Sequence, residues 1–93
     1  MTEQQKIQIS DNIAGGEYTN LMQIQHSKEE FVMMFANILP PSGKVVSKLI
    51  SNPGHYKKMV AAMTENLKKY EDKYGVIEES PELNKEIGFK EGK

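Results

Sequence analysis

The stretch from Pro53 to Tyr74 constrains this chain more than any other. Beyond Gly54 it holds no glycine or proline until Gly75, and its apolar residues Tyr56, Val60, Met63, Leu67, Tyr70 and Tyr74 follow alternating steps of four and three. That spacing draws one stripe along an α-helix. Met59 and Ala62 widen the stripe, while Lys57, Lys58, Glu65, Lys68, Lys69, Asp72 and Lys73 occupy the opposite side. The ends are marked as well. Asn52 can cap by accepting a backbone N–H, Pro53 suits the first helical position, and Gly75 suits the stop. A helix with a single apolar stripe needs an apolar surface to lie against, and the preceding half of the chain is where that surface must come from.

That half reads as strands. Gln5-Lys6-Ile7-Gln8-Ile9 alternates polar and apolar, the period of a half-buried strand, and Asp11-Asn12 with Ala14-Gly15-Gly16 carries turn chemistry. Tyr18 to His26 alternates again, with Tyr18, Met22 and Ile24 on one side, Thr19, Gln23 and Gln25 on the other, and Leu21 out of step. His26-Ser27-Lys28-Glu29 is a polar break of hairpin length. Phe31-Val32-Met33-Met34-Phe35-Ala36 is apolar on both sides, as in a central strand, although the two methionines also suit a helix. Pro40-Pro41-Ser42-Gly43 interrupts the chain, and Val45 to Ile50 is a β-branched strand. After Gly75 the apolar residues thin out among glutamate and lysine, so a mobile acidic tail is expected over residues 78–93. The pattern predicts an α+β domain over residues 1–77: about four antiparallel strands, then one long amphipathic helix.

With 93 residues, a domain of this size buries only about 60% of its unfolded surface. Small domains commonly add disulfides, a metal or a second subunit. The chain has no cysteine, so a second subunit is the favoured remedy. The lack of cysteine also fits a reducing compartment; no apolar run follows Met1–Lys6 and no window is long enough to span a bilayer. A soluble, cytoplasmic protein without membrane association is therefore expected. Net charge is −1, which creates no global attraction for nucleic acid or anionic lipid. Every basic residue is lysine. Reading of guanine or phosphate by the bidentate arginine fork is thereby disfavoured.

Several of these segments together resemble a known family. Glu17-Tyr18-Thr19-Asn20, His26-Ser27, Glu30-Phe31-Val32 with Phe35, Asn52-Pro53-Gly54-His55, Lys69-Tyr70-Glu71 and Tyr74-Gly75 are similar, in order and spacing, to the short bacterial family catalogued as domain of unknown function 3467. The resemblance covers about Ile7 to Ile77. The family usually carries an acid where Met34 stands and often one where Gly54 stands. The resemblance implies a fold; it brings no activity, cofactor or catalytic residue. Strands followed by one long helix also look similar to the topology of single-stranded nucleic-acid-binding coactivator and Whirly-type proteins, an analogy of fold alone.

Candidate chemistry is sparse. No G-x-S-x-G elbow frames any serine, the paired acids Glu29-Glu30 and Glu78-Glu79 are sequence neighbours, and His26 and His55 stand far apart without a metal-ligand pattern. No enzyme, metal or cofactor is expected. The start of the helix, with Asn52, His55, Lys57 and Lys58, could meet an anion through free N–H groups. Tyr18, Phe31 and Phe35 could stack bases while Lys28, Lys44 and Lys48 track a single strand of nucleic acid, Lys44 and Lys48 being placed on one side of their strand. Against this, strand aromatics such as Phe31 and Phe35 normally fill the covered side of a sheet. The leading expectation is self-association. Phe31, Val32, Met33, Met34 and Phe35, with the seam of Tyr56, Val60, Met63, Leu67 and Tyr70, carry more apolar surface than one helix can cover, and a homodimer would cover it. The protein partner, if there is another, is not legible.

Overall fold

The computed structural model describes residues 5–81 and Gly88. The elements are β1 (Leu21–His26), β2 (Phe31–Leu39), β3 (Ser42–Ser51) and α1 (Pro53–Tyr74). The strands form an antiparallel meander in the order β1-β2-β3. The fold is α+β as expected, with three strands in place of about four. By compactness the chain divides into Met1–Lys57, which holds the sheet and the first turn of α1, and Lys58–Lys93, which holds the rest of that helix.

The missing strand is the first. Gln5–Ile9 takes no regular structure, and Ile7 and Ile9 are 79% and 88% exposed. Alternation qualifies a segment for a ladder but does not place it in one. Between it and β1, Ile13 N–H donates to Asp11 Oδ1 at 3.1 Å and Gly15 adopts φ +70°, so the intervening chain turns on itself locally. Tyr18 likewise lies upstream of β1 and is exposed. The expected mobile tail at 78–93 lies largely outside the described residues.

The three strands begin and end where side chains can complete the backbone ladder. Asn20 extends β1 by one pseudo-residue: its Nδ2 donates to Ile38 O at 2.9 Å while its Oδ1 accepts Ile38 N–H at 2.8 Å. Thr19 Oγ1 donates toward Ala36 O at 2.9 Å and Leu21 O at 3.0 Å. In the β1–β2 hairpin, Ser27 Oγ accepts the N–H groups of Glu29 and Glu30, each at 3.3 Å, and Ser27 N–H donates to Glu30 O at 2.9 Å. Pro40-Pro41, with a cis peptide, turns β2 into β3.

Phe31–Leu39 is the central strand, which settles it as a strand and not a helix. Paired residues on neighbouring strands share a side of the sheet. One side therefore carries Met22, Ile24 and His26, then Phe31, Met33 and Phe35, then Ser47, Leu49 and Ser51. The other carries Leu21, Gln23 and Gln25, then Val32, Met34 and Ala36, then Val45, Lys48 and Ile50. The core is small: Met33, 3% exposed, and Ala36, 1% exposed, are the buried hydrophobic residues among those described.

The helix begins as its sequence indicates. Asn52 Oδ1 accepts His55 N–H at 2.7 Å, Tyr56 N–H donates to Asn52 O at 2.9 Å, and Pro53 has no N–H to satisfy. At the far end Gly75 takes φ +98° and its N–H donates to Glu71 O at 2.9 Å, a conformation open to glycine without a Cβ clash. Exposed pairs Lys68–Asp72 and Lys69–Glu65, each four residues apart, decorate the polar side; such pairs stabilise a helix by about 0.3–0.5 kcal/mol each. Among the described residues no helix is long and apolar enough to cross a membrane.

Candidate assembly surface

The residues expected to associate fall into two groups. In the sheet, β2 places Phe31, Met33 and Phe35 on one side and Val32 and Met34 on the other. Met33 is buried, whereas Phe31, Val32, Met34 and Phe35 are only half-buried. Phe31 packs against two rings. Its ring stacks on Tyr56 with centroids 3.9 Å apart and planes 2° apart, and His26 approaches its other neighbour position at 5.5 Å. These contacts tie the first helical turn to the ends of β1 and β2.

Around that anchor the sheet is open. On the Met33 side a row runs Ile24, Met33, Leu49 across the three strands, with exposures of 42%, 3% and 51%. Only its centre is dry. Met22 beside it is 40% exposed, and on the reverse side Ile50 is 65% exposed. The sequence reading placed the apolar surplus on β2 and overlooked these flanks. The alternation Met22-Gln23-Ile24-Gln25 contained the signal: an edge strand keeps its apolar residues half wet because it has one neighbour instead of two.

The second group is on the helix. From Val60 onward the seam is uncovered: Val60, Met63, Leu67 and Tyr70 are each 44–54% exposed, and Tyr74 is 65% exposed. Ile77 N–H donates to Glu71 Oε2 at 2.9 Å. Ile77 lies with Ala62, Met63, Asn66, Leu67 and Tyr70 around a shallow, mostly apolar hollow. Tyr70 and Tyr74 meet at 4.9 Å, and Lys73 Nζ lies 5.2 Å from the Tyr74 ring centre.

The residues considered for anion or nucleic-acid contact are spread over several elements. Lys28 is in the β1–β2 hairpin, Tyr18 is exposed ahead of β1, and Lys57 and Lys58 are exposed on the helix. Asn52 and the His55 N–H satisfy one another, so the cap uses the donor that an anion would have met. Lys44 and Lys48 do not share a side of β3, contrary to the sequence reading. Lys48 pairs with Met34 but Lys44 pairs with Asn37, because Phe35 opposes Ser47 while Ala36 opposes Val45. Val46 is the extra residue of a β-bulge, and one extra residue reverses the side of everything beyond it. Among the described residues no three histidine, aspartate or glutamate side chains gather as metal ligands would.

The molecule is thus a small α+β protein of a three-stranded meander leading into one long helix. Residues 1–79 match the family model described as Protein of unknown function (DUF3467), and the chain belongs to that family. Comparison with the curated proteins and with the solved structures gave no match. The segments that carried the resemblance have clear structural duties. Thr19 and Asn20 close one end of the sheet, Ser27 holds the hairpin, Phe31 stacks on the helix, Asn52 caps it and Gly75 ends it.

Proposed function

We propose that this chain is a non-catalytic assembly module of the cytoplasm that works as a homodimer, its sheet and helix seam covered by a second copy. The observation that carries the reading is the contrast between a core of Met33 and Ala36 and the exposed Met22, Ile24, Leu49 and Ile50 of the same sheet. Covering a half-exposed aliphatic side chain stabilises by about 1 kcal/mol, half the value for complete burial. Four such residues on the sheet, with Val60, Met63 and Leu67 along the seam, add up to a large share of the roughly 5–15 kcal/mol by which domains are stable. A module of this size gains more from covering those residues than from any single polar contact it makes. The non-catalytic part rests on the residue inventory, which offers no nucleophile framed by a base and an orienting group.

Binding of single-stranded nucleic acid is the other reading the sequence raised. It calls for basic residues and aromatics along one surface. The bulge at Val46 divides Lys44 from Lys48 and Phe31 is stacked on Tyr56, so the register supports assembly over this alternative.

The test is the concentration dependence of thermal unfolding. A homodimer gains stability by mass action, so its unfolding midpoint rises with protein concentration. The expected result is a steady rise across a hundredfold range of concentration. A midpoint that stays constant would overturn the homodimer.

A further inference from the structure

We propose that the second copy joins at the outer edge of β1, the two β1 strands running antiparallel about a two-fold axis at Gln23 to make one continuous sheet. This rests on the homodimer reading and adds where the two sheets meet: the edge contact gives Met22 and Ile24 new neighbours and does not itself reach Leu49, Ile50 or the helix seam.

The sheet has two outer edges, and they differ. β3 carries Lys44 and Lys48 and the bulge at Val46. Charged residues, lysine above all, and bulges are the features that keep an edge strand from pairing with another chain. β1, with the sequence Leu-Met-Gln-Ile-Gln-His, has no lysine, acid, proline or bulge. Among the described residues no strand lies beyond it. Its backbone is therefore the unguarded template.

The side chains of β1 are also self-complementary. Directly opposed residues of antiparallel strands point to the same side of a sheet. A two-fold axis perpendicular to the sheet must then pass through a residue and not between two. With the axis at Gln23, Met22 of each copy meets Ile24 of the other on the Met33 side, while on the reverse side Gln23 meets Gln23 and Gln25 meets Leu21. The row Leu49, Met33, Ile24, dry only at its centre, is continued by the second copy's Met22. No charged side chain of β1 is brought against another. An axis one residue later would oppose Ile24 to Ile24 and continue that row too, but it would set Met22 against His26, whereas the axis at Gln23 pairs Met22 and Ile24 with each other.

Because the chain has no cysteine, one engineered thiol reports the geometry. In Gln23→Cys the two thiols of the dimer oppose each other directly, with Cβ atoms about 4.5–5.5 Å apart, close to disulfide distance. Mild oxidation is expected to link most of the protein as a covalent dimer. Lys48→Cys is the control, since Lys48 lies in the same cross-strand row as Gln23 and Met34 but on the far edge; it is expected to remain unlinked. Gln23→Lys places like charges opposite one another and is expected to weaken dimerisation by more than about tenfold, with an unchanged circular dichroism spectrum. If the parent protein is dimeric by light scattering while Gln23→Cys stays unlinked, or links no faster than Lys48→Cys, the edge pairing is wrong and the homodimer stands. Unimpaired dimerisation of Gln23→Lys would overturn it equally. If the parent is a monomer, both readings fall together.

Discussion

Replacing Asn20 tests how the sheet is closed at the end remote from the helix cap. Its side-chain amide acts as one more residue of β1, donating to Ile38 O at 2.9 Å and accepting Ile38 N–H at 2.8 Å. Both bonds are exposed to solvent, so each contributes near the lower part of the usual range, about 0.5–1 kcal/mol net. Asn20→Ala removes the pair, and the predicted loss is about 1–2 kcal/mol. Asn20→Asp keeps an acceptor for Ile38 N–H but sets a second acceptor against Ile38 O, so it is expected to recover no more than half of that loss. Urea unfolding followed by circular dichroism measures both variants. A chain of this length has a denaturant slope near 1 kcal/mol per molar urea, so Asn20→Ala should lower the midpoint by about 1–2 M. Parent and variants must be compared at one protein concentration, since dimerisation would itself move the midpoint. If Asn20→Ala unfolds within about 0.5 kcal/mol of the parent, the scatter of ordinary surface substitutions, the paired amide has no structural weight and the reasoning fails.

Two further substitutions probe the core and the helix. Met33, 3% exposed at the centre of the sheet, should lose about 2–5 kcal/mol on change to alanine; a loss below 1 kcal/mol in urea unfolding would show that the row it anchors is not the core. Asn52→Ala, which removes the acceptor for His55 N–H at 2.7 Å, should cost about 1 kcal/mol, and Asn52→Ser should restore most of it; equal stability of the alanine and serine variants would deny the cap.

Much of the fold was legible before any coordinates. Helix limits could be read because Asn52-Pro53 and Gly75 act locally, through a cap, a missing donor and a positive φ, and local chemistry is written in adjacent residues. Phe31–Ala36 was recognisable as central from its two apolar sides, and it lies between β1 and β3. The failures share a different cause. Gln5–Ile9 has the alternation of a strand, yet it stays unpaired although the outer edge of β1 is free, because alternation alone does not bring a segment to an edge. The bulge at Val46 carries no glycine or proline to announce it, and it arises from pairing between strands. Its effect, moving Lys44 and Lys48 to opposite sides, undid the basic stripe inferred from spacing. The candidate surface was half legible for the same reason. Apolar excess on β2 was visible, but the exposure of Met22, Ile24 and Leu49 follows from β1 and β3 being edges, which is a property of topology.

The family motifs gain a physical explanation from the same geometry. Asn20, Ser27 and Asn52 each spend a side-chain oxygen on backbone N–H groups that regular structure leaves unpaired. Such residues are restricted in identity because few side chains reach the required donors. Their role is architectural. A motif search alone would mark them as candidate binding groups, since polar residues in ordered loops invite that reading.

The claim on which this account depends is that one copy leaves too much of its apolar surface wet to function alone. Light scattering coupled to size exclusion, at micromolar protein and moderate salt, measures it without any substitution. The account predicts a mass twice the 10.6 kDa of the chain. A single peak at the mass of one chain, sustained to high concentration, would contradict it.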